Sequence, residues 1–506
     1  MQGKVIYNLI ASLTTFSLSV LISLWMTPYI INAIGTDAYG FIPLTQNFIS
    51  ILSVLTVALS SVIARFFTVA IQQNDFFNAQ RYFNTYLISS IIISGFLLIV
   101  FFTLSLLIDD IINIPKFLTL DVEISIIISG LLLVMTYIGA VFDAAPFSTN
   151  KLYITKGIEA LNAILKAICV FILLTALTPK IWYVNLGAII AGVLSFILGV
   201  FFFRKLLPFI KFNYKDFQLS KLKEMLSAGI WNSIGQVGVI LFLAIDILVA
   251  NKTVGAEKAG IYAAILQLPL LVRSLAGITA NVFAPVVVTL YAKKNINALV
   301  EYSNKAVRLN GLLIALPASL ICGLSSALLN VWLGEEFETY NWLLVLNSIY
   351  LVFVLSVMPL NHIFTAVNRL KLPAIVTIIL GITNLILAYL LSGPVGLGLY
   401  GIVIASASSL CVKNLIFTPL YSSFVTGQAF YKYYKGIIQP IIGAAFAVIV
   451  SIIIKFCYNI SNWMDLIIAG LIITISYILF SYVSLLNREE KQRVKKLVIR
   501  LFYKNN

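Results

Sequence analysis

The chain has 506 residues, of which 61% are hydrophobic and only 10% charged, and its mean hydropathy is +1.02. An ordinary globular chain carries about 25% charge, and surface grows too nearly in step with mass for a water-soluble protein to hide this much apolar area. The formal net charge of +15 reads as a membrane-orientation pattern that favours anionic lipid headgroups, and nucleic-acid binding is not expected.

A helix needs about 20 apolar residues to cross the hydrocarbon core. In chain order such runs fall at 5–30, 41–70, 85–108, 122–146, 153–178, 183–203, 227–250, 258–290, 303–330, 342–367, 371–391, 398–421, 436–458 and 463–486. Lipid offers no partners for bare backbone amides, so the pattern predicts fourteen helices and an all-α integral membrane protein. The N-terminal run reaches Pro28 without a small-residue cleavage pattern, and is expected to be helix 1 and not a removed leader. Cys169, Cys322, Cys411 and Cys457 lie in or beside apolar runs, with neither disulfide nor metal-ligand spacing.

Lys and Arg mark the cytoplasmic side of membrane proteins. With the N-terminus inside, 25 of the 34 basic residues fall on the inner side, 5 on the outer side and 4 within helices. Glu335, Glu336 and Glu338 fall outside. Adding or dropping one helix scrambles this bias, so charge supports the count of fourteen and places both termini in the cytoplasm.

Two short similarities recur at nearly one displacement. Gly35-Thr36-Asp37-Ala38-Tyr39-Gly40 matches Gly255-Ala256-Glu257-Lys258-Ala259-Gly260, 220 residues on, and Asn150-Lys151-Leu152 matches Asn368-Arg369-Leu370, 218 on. Helices 1–6 and 7–12 therefore read as duplicated lobes, and because six is even the repeat is parallel. The expected division is an N-lobe at 1–203, a basic cytoplasmic connection at 204–226, a C-lobe at 227–421, two added helices at 422–487 and a basic tail at 488–506.

Charge inside a bilayer costs about 2.5–3.5 kcal/mol on insertion scales, which makes each intramembrane ionisable group a functional candidate. The basic candidates are Arg65, Lys166, Arg273 and Lys413, with the last three nearest the midplane; the acidic ones are Asp143, Glu159 and Asp246. Thr155, Glu159, Asn162 and Lys166 fall on one face of helix 5, and Asn232, Gln236 and Asp246 on one face of helix 7. Asn8, Ser12, Thr15, Ser19 and Ser23 stripe helix 1. Such stripes face either a watery cavity or a neighbouring helix. His362 reads as a packing residue. There is no GxxxxGK[ST] loop, no HExxH and no nucleophile–histidine pair, so no enzyme activity and no cofactor are expected. Active transport, if present, must then draw on an ion gradient, the membrane potential or the substrate's own gradient, and for coupling to H⁺ or Na⁺ the candidate groups are Asp143, Asp246 and Glu159.

These residues resemble a family. Pro28 and Gly35 with Asp37, Tyr39 and Gly40, the Ser61–Phe67 segment with Arg65, the Trp231–Asp246 stretch, Gly260 with Tyr262, Pro285, Trp332–Phe337 and Ala366–Pro373 are similar to the multidrug/oligosaccharidyl-lipid/polysaccharide (MOP) exporter superfamily. The likeness is to its bacterial, Wzx-like repeat-unit flippases. It implies a V-shaped, MATE-like pair of six-helix lobes, alternating access, and an undecaprenyl-diphosphate-linked oligosaccharide as substrate, turned from the inner to the outer leaflet. Arg65, Lys166, Arg273 and Lys413 would then neutralise the diphosphate, while Asn162, Asn232, Gln236, Ser12 and Thr15 would bond sugars. A glycan polymerase of the same pathway is the implied protein partner, and the chain is expected to be a monomer. Helix 1 has neither the acidic residue common in drug/cation exporters nor the arginines typical of lipid II flippases, which favours capsule, O-antigen, exopolysaccharide or teichoic-type glycan. A multidrug exporter and a lipid II flippase are the alternatives. A membrane glycosyltransferase would need a long outer loop or soluble domain that the sequence does not contain.

Overall fold

The computed structural model describes residues 2–149, 151–367, 369–486 and 490–492, with the side chains of 2–10, 13, 243, 285 and 292 left aside. Asn150 and Asn368 of the second repeat match lie outside the described residues, as do Arg488 and the tail basics from Arg493 onward. The same holds for the side chains of Lys4, Asn8 and Pro285. Every described regular element is helical. Among the described residues, fourteen helices are long and apolar enough to cross a membrane. They are α1 (Gln2–Ile34), α2 (Thr36–Gln72), α3 (Phe76–Leu106), α4 (Thr119–Ser148), α5 (Leu152–Ala176), α6 (Tyr183–Leu206) and α7 (Leu219–Val254). Then follow α8 (Ala256–Tyr291), α9 (Ile296–Gly323), α10 (Glu335–Ala366), α11 (Lys371–Ser392), α12 (Leu399–Thr426), α13 (Phe430–Cys457) and α14 (Trp463–Leu485).

The matched loops share backbone geometry. Gly35 (φ 86°, ψ 161°) ends α1 and Gly255 (φ 102°, ψ 167°) ends α7, in a region that side chains avoid. Asn74 (φ 58°) and Lys294 (φ 55°) are the positive-φ non-glycine residues among those described, and they too stand 220 apart. Each precedes a capping residue. Asp75 accepts from the Asn78 N–H at 3.0 Å to start α3, and Asn295 from the Ala298 N–H at 3.1 Å to start α9. Hydrogen bonds from its cap, led by the Asn78 amide, hold the Asp75 carboxyl below the usual aspartate range.

The chain forms two compact units, one of residues 1–264 with 371–406, the other of 265–370 with 407–506. In the first, α2 packs along α7. Gly229 sits directly on the Ala58 carbonyl, where a Cβ has no room. Asn47 donates to the Ala244 carbonyl at 2.6 Å, and Ser233 to that of Val54 at 3.1 Å. Phe67, Phe83 and Phe142 pack around Phe203 in an aromatic core joining α2, α3, α4 and α6. The 204–226 segment, expected as a surface connection, is helical to Leu206 and again from Leu219, with one 3₁₀ turn between. Its two acids fasten it to α3. Asp216 accepts from Gln80 at 2.7 Å, and Glu224 from the Tyr82 hydroxyl at 2.9 Å.

In the second unit α13 lies on α9, with Gly311 against Pro440 and Gly323 against Ser451 leaving no room for side chains. Tyr477 of α14 donates to the Leu312 carbonyl at 2.7 Å, and Lys455 of α13 to Ser326 at 3.0 Å. Beyond α14, Glu490 pairs with the buried Arg308 of α9, and Lys305 stands 3.7 Å away. The two helices outside the repeat are thus packed and pinned to α9.

Candidate functional site: charged groups within the membrane-spanning helices

The helix-5 stripe lines a cavity. Thr155, Glu159, Asn162 and Lys166 face it from α5, joined by Asp143 of α4 and Ser195 of α6, around a volume of ≈ 430 Å³. The geometry follows from helix periodicity, since these α5 positions fall at i, i+4, i+7 and i+11. The α4 wall is shaped by a break after Gly139, and Pro146 supplies no N–H to heal it. Glu159 pairs with Lys156 at 2.7 Å, and Asn162 donates to Ser195 at 2.8 Å. The Lys166 ammonium, at the other end of the stripe, has no hydrogen-bond or ion-pair partner among the described residues. A cavity that carries carboxylates at one end and the Lys166 ammonium at the other can bind an anion at Lys166.

Asp246 occupies a different place. α7 is distorted at Ala244 (φ −98°), whose carbonyl is held by Asn47, and the next turn carries Asp246 inward to 5% exposure. Its carboxylate accepts from Ser406 of α12 at 2.7 Å and from Asn384 of α11 at 3.3 Å. Asn232 and Gln236, expected on the same face, remain exposed and half-buried. Asn232 donates to Ser61 of α2 at 3.0 Å, one turn from the exposed Arg65. The helix-7 stripe is therefore split into a surface amide pair and a buried carboxylate site.

In the second unit, Arg273 of α8 donates to the Tyr350 hydroxyl at 2.7 Å, with the guanidinium carbon 5.8 Å from that ring. Tyr350 sits at a break inside α10. Lys413 lies in a π-helical turn of α12, Val412–Phe417, close enough to Arg273 for the two charges to repel. Such widened turns recur at functional positions.

On α1 the hydroxyl stripe serves packing. Thr15 is buried and donates to the Lys156 carbonyl of α5 at 2.9 Å, and Ser19 bonds back to Thr15. Ser12 is half-buried. His362 bonds the Ala280 carbonyl at 3.1 Å, a packing role as expected. The neutral groups Ser195, Tyr350, Asn384 and Ser406 complete these sites without a sequence signal beyond being polar in apolar runs. Asn185 is another. It is buried on α6 and bonds Ser125, Ser129 and Gln46.

Residues 4–291 match the family model described as "Polysaccharide biosynthesis protein". The chain belongs to that family. An "Uncharacterized membrane protein EpsK" of Bacillus subtilis (strain 168) is 46% identical over 493 residues, covering 97% of this chain and 98% of the relative. Among solved structures, "Lipid II flippase MurJ, inward closed conformation" superposes with TM-score 0.70 at 15% identity, over 95% of this chain and 98% of that one. An inward-facing "multidrug resistance MATE family transporter of the MOP superfamily" gives 0.67 at 17% identity, over 82% and 96%. At these identities the structural matches establish the fold. This polysaccharide biosynthesis protein is an all-α membrane protein with the transporter fold of the MOP superfamily, as its residues led one to expect.

Proposed function

We propose that the protein is a flippase that moves an undecaprenyl-diphosphate-linked oligosaccharide from the inner to the outer leaflet of the bacterial cytoplasmic membrane, with both termini inside. The observation that carries this reading is the Arg273–Lys413 pair. The like charges of Arg273 and Lys413, in membrane-spanning helices, repel each other and are costly to desolvate. An anion with at least two charges relieves both penalties, and a guanidinium fixed by Tyr350 presents its remaining donors to phosphate oxygens. Lys166 and Arg65 supply further positive charge in the first unit. Asn162, Ser195 and Asn232 can bond sugar hydroxyls. A state that binds the anion better than its alternative is the one the substrate populates, which is how binding drives alternating access.

Coupling to a cation gradient is assigned to Asp246. A buried carboxylate flanked by a serine hydroxyl and an amide, beside a distorted helix turn, can take up H⁺ or Na⁺ with little rearrangement. A second reading has one observation in its favour. Asp143 and Glu159 line a cavity with Phe142 and Phe196, a combination suited to an organic cation, as in a multidrug exporter. Proteoliposome assays with a lipid-linked glycan and with a labelled cationic drug separate the two. Glycan transport lost in Arg273→Gln supports the flippase, and drug transport unaffected by glycan lipid supports the exporter.

A further inference from the structure

A second groove lies beside the polar cavity on the α5–α6 pair, with Ile158 as a shared wall. Its volume is ≈ 480 Å³, and at one end it carries Lys151, Tyr153 and Lys205. Lys151 is the N-cap residue just before α5, and Lys205 lies in the last turn of α6. Both therefore stand at the same membrane boundary. Below them the walls are apolar, with Ile154 and Leu161 on α5 and Phe202 on α6, and no acidic residue lines the groove. From Ile154 to Leu161 the helix rises about 10 Å, so the groove runs from the headgroup level well into one leaflet. Gly157 opens its floor, since a Cβ there would meet nothing within 4 Å. The groove continues into exposed apolar strips, Ile168 and Ile172 on α5 and Ile197 and Phe201 on α6. In a membrane protein such strips face lipid.

We propose that this groove is a binding site for an anionic glycerophospholipid, its phosphate between Lys151 and Lys205 and an acyl chain along Gly157. Two cations at the boundary meet a headgroup phosphate, with Tyr153 available as a hydrogen-bond donor. The walls beneath offer no hydroxyl or amide for a sugar, which separates this site from the cavity lined by Asn162 and Lys166. A polyprenyl diphosphate bearing a glycan would leave its sugars without partners here. The site is a lipid seat on the outside of the first unit, separate from the transport path proposed above.

The test uses the full chain purified in mild detergent and transferred to phosphatidylcholine nanodiscs containing phosphatidylglycerol. Native mass spectrometry then follows which lipid survives stepwise delipidation. Wild type is expected to keep one phosphatidylglycerol selectively. A Lys151→Gln/Lys205→Gln double variant is expected to lose roughly tenfold in retention, with unchanged thermal unfolding in lipid-free detergent. Gly157→Leu fills the groove while keeping both charges and is expected to lose the lipid as well. Equal retention of phosphatidylglycerol in wild type and both variants overturns the site. So does undecaprenyl phosphate displacing the retained phosphatidylglycerol, which would make the groove a polyprenyl site.

Discussion

Gly40 and Gly260 meet backbone to backbone. A Cβ on Gly40 would stand 2.8 Å from the Gly260 Cα, and one on Gly260 would collide with the Thr36 carbonyl. The contact is reciprocal, because Gly40 also faces the Ala256 carbonyl, at 3.4 Å, and Ala256 stands to Gly260 as Thr36 stands to Gly40. The two copies of the repeated loop therefore pack on each other through the glycines that make them alike. Gly260→Ala is expected to cost about 1–3 kcal/mol by overpacking and to lower glycan export. Gly277→Ala, in α8 where a Cβ meets nothing within 4 Å, is expected to be neutral or to gain about 0.5–1 kcal/mol from helix propensity. Thermal unfolding in detergent compares them. Equal effects would mean that the loop contact contributes nothing.

The carboxylate of Asp246 offers a second test. Asp246→Ala removes a buried acceptor from Ser406 and Asn384, which keep each other and, for Asn384, the Leu241 carbonyl, at a cost of about 1–3 kcal/mol. Asp246→Asn keeps the shape and removes the charge. The expectation is that Asp246→Asn folds with near-normal stability, while its transport in proteoliposomes no longer responds to an imposed H⁺ or Na⁺ gradient. A gradient response as large as wild type would transfer coupling away from this residue.

The number of helices and the α5 cavity were legible in sequence because both are carried by strong, regular signals: apolar runs of bilayer length, and polar residues at 3.6-residue spacing on a straight helix. Helix 7 defeated the same argument. Its distortion at Ala244 depends on Asn47 of another helix, and the turn that follows rotates Asp246 away from Asn232. Thr15 was legible as polar but not in its role, since a hydroxyl facing a cavity and one facing a helix carbonyl look alike in a pattern. The Gly35/Gly255 pair was readable because glycine marks its own geometry. The Asn74/Lys294 pair was not, because two unlike residues adopt one left-handed conformation. Tyr350 and the wide turn around Lys413 are tertiary features with no local signature.

Orientation is accessible to labelling. In a background lacking the four native cysteines, cysteines replace Lys215 and Glu336, both exposed. A membrane-impermeant maleimide applied to intact cells is expected to label position 336 and to reach 215 only after the membrane is opened. The reverse pattern would invert every leaflet assignment made above.

In the proposed mechanism the Arg273–Lys413 pair receives a lipid-linked diphosphate. The most direct measurement is transport of an undecaprenyl-diphosphate-linked oligosaccharide in proteoliposomes containing wild type, Arg273→Lys, Arg273→Ala or Lys413→Ala at matched protein levels. The account predicts loss of at least tenfold in both alanine variants, equivalent to about 1.4 kcal/mol, and only partial recovery with lysine, which keeps the charge but not the planar fork. Wild-type transport rates in Arg273→Ala and Lys413→Ala would contradict it.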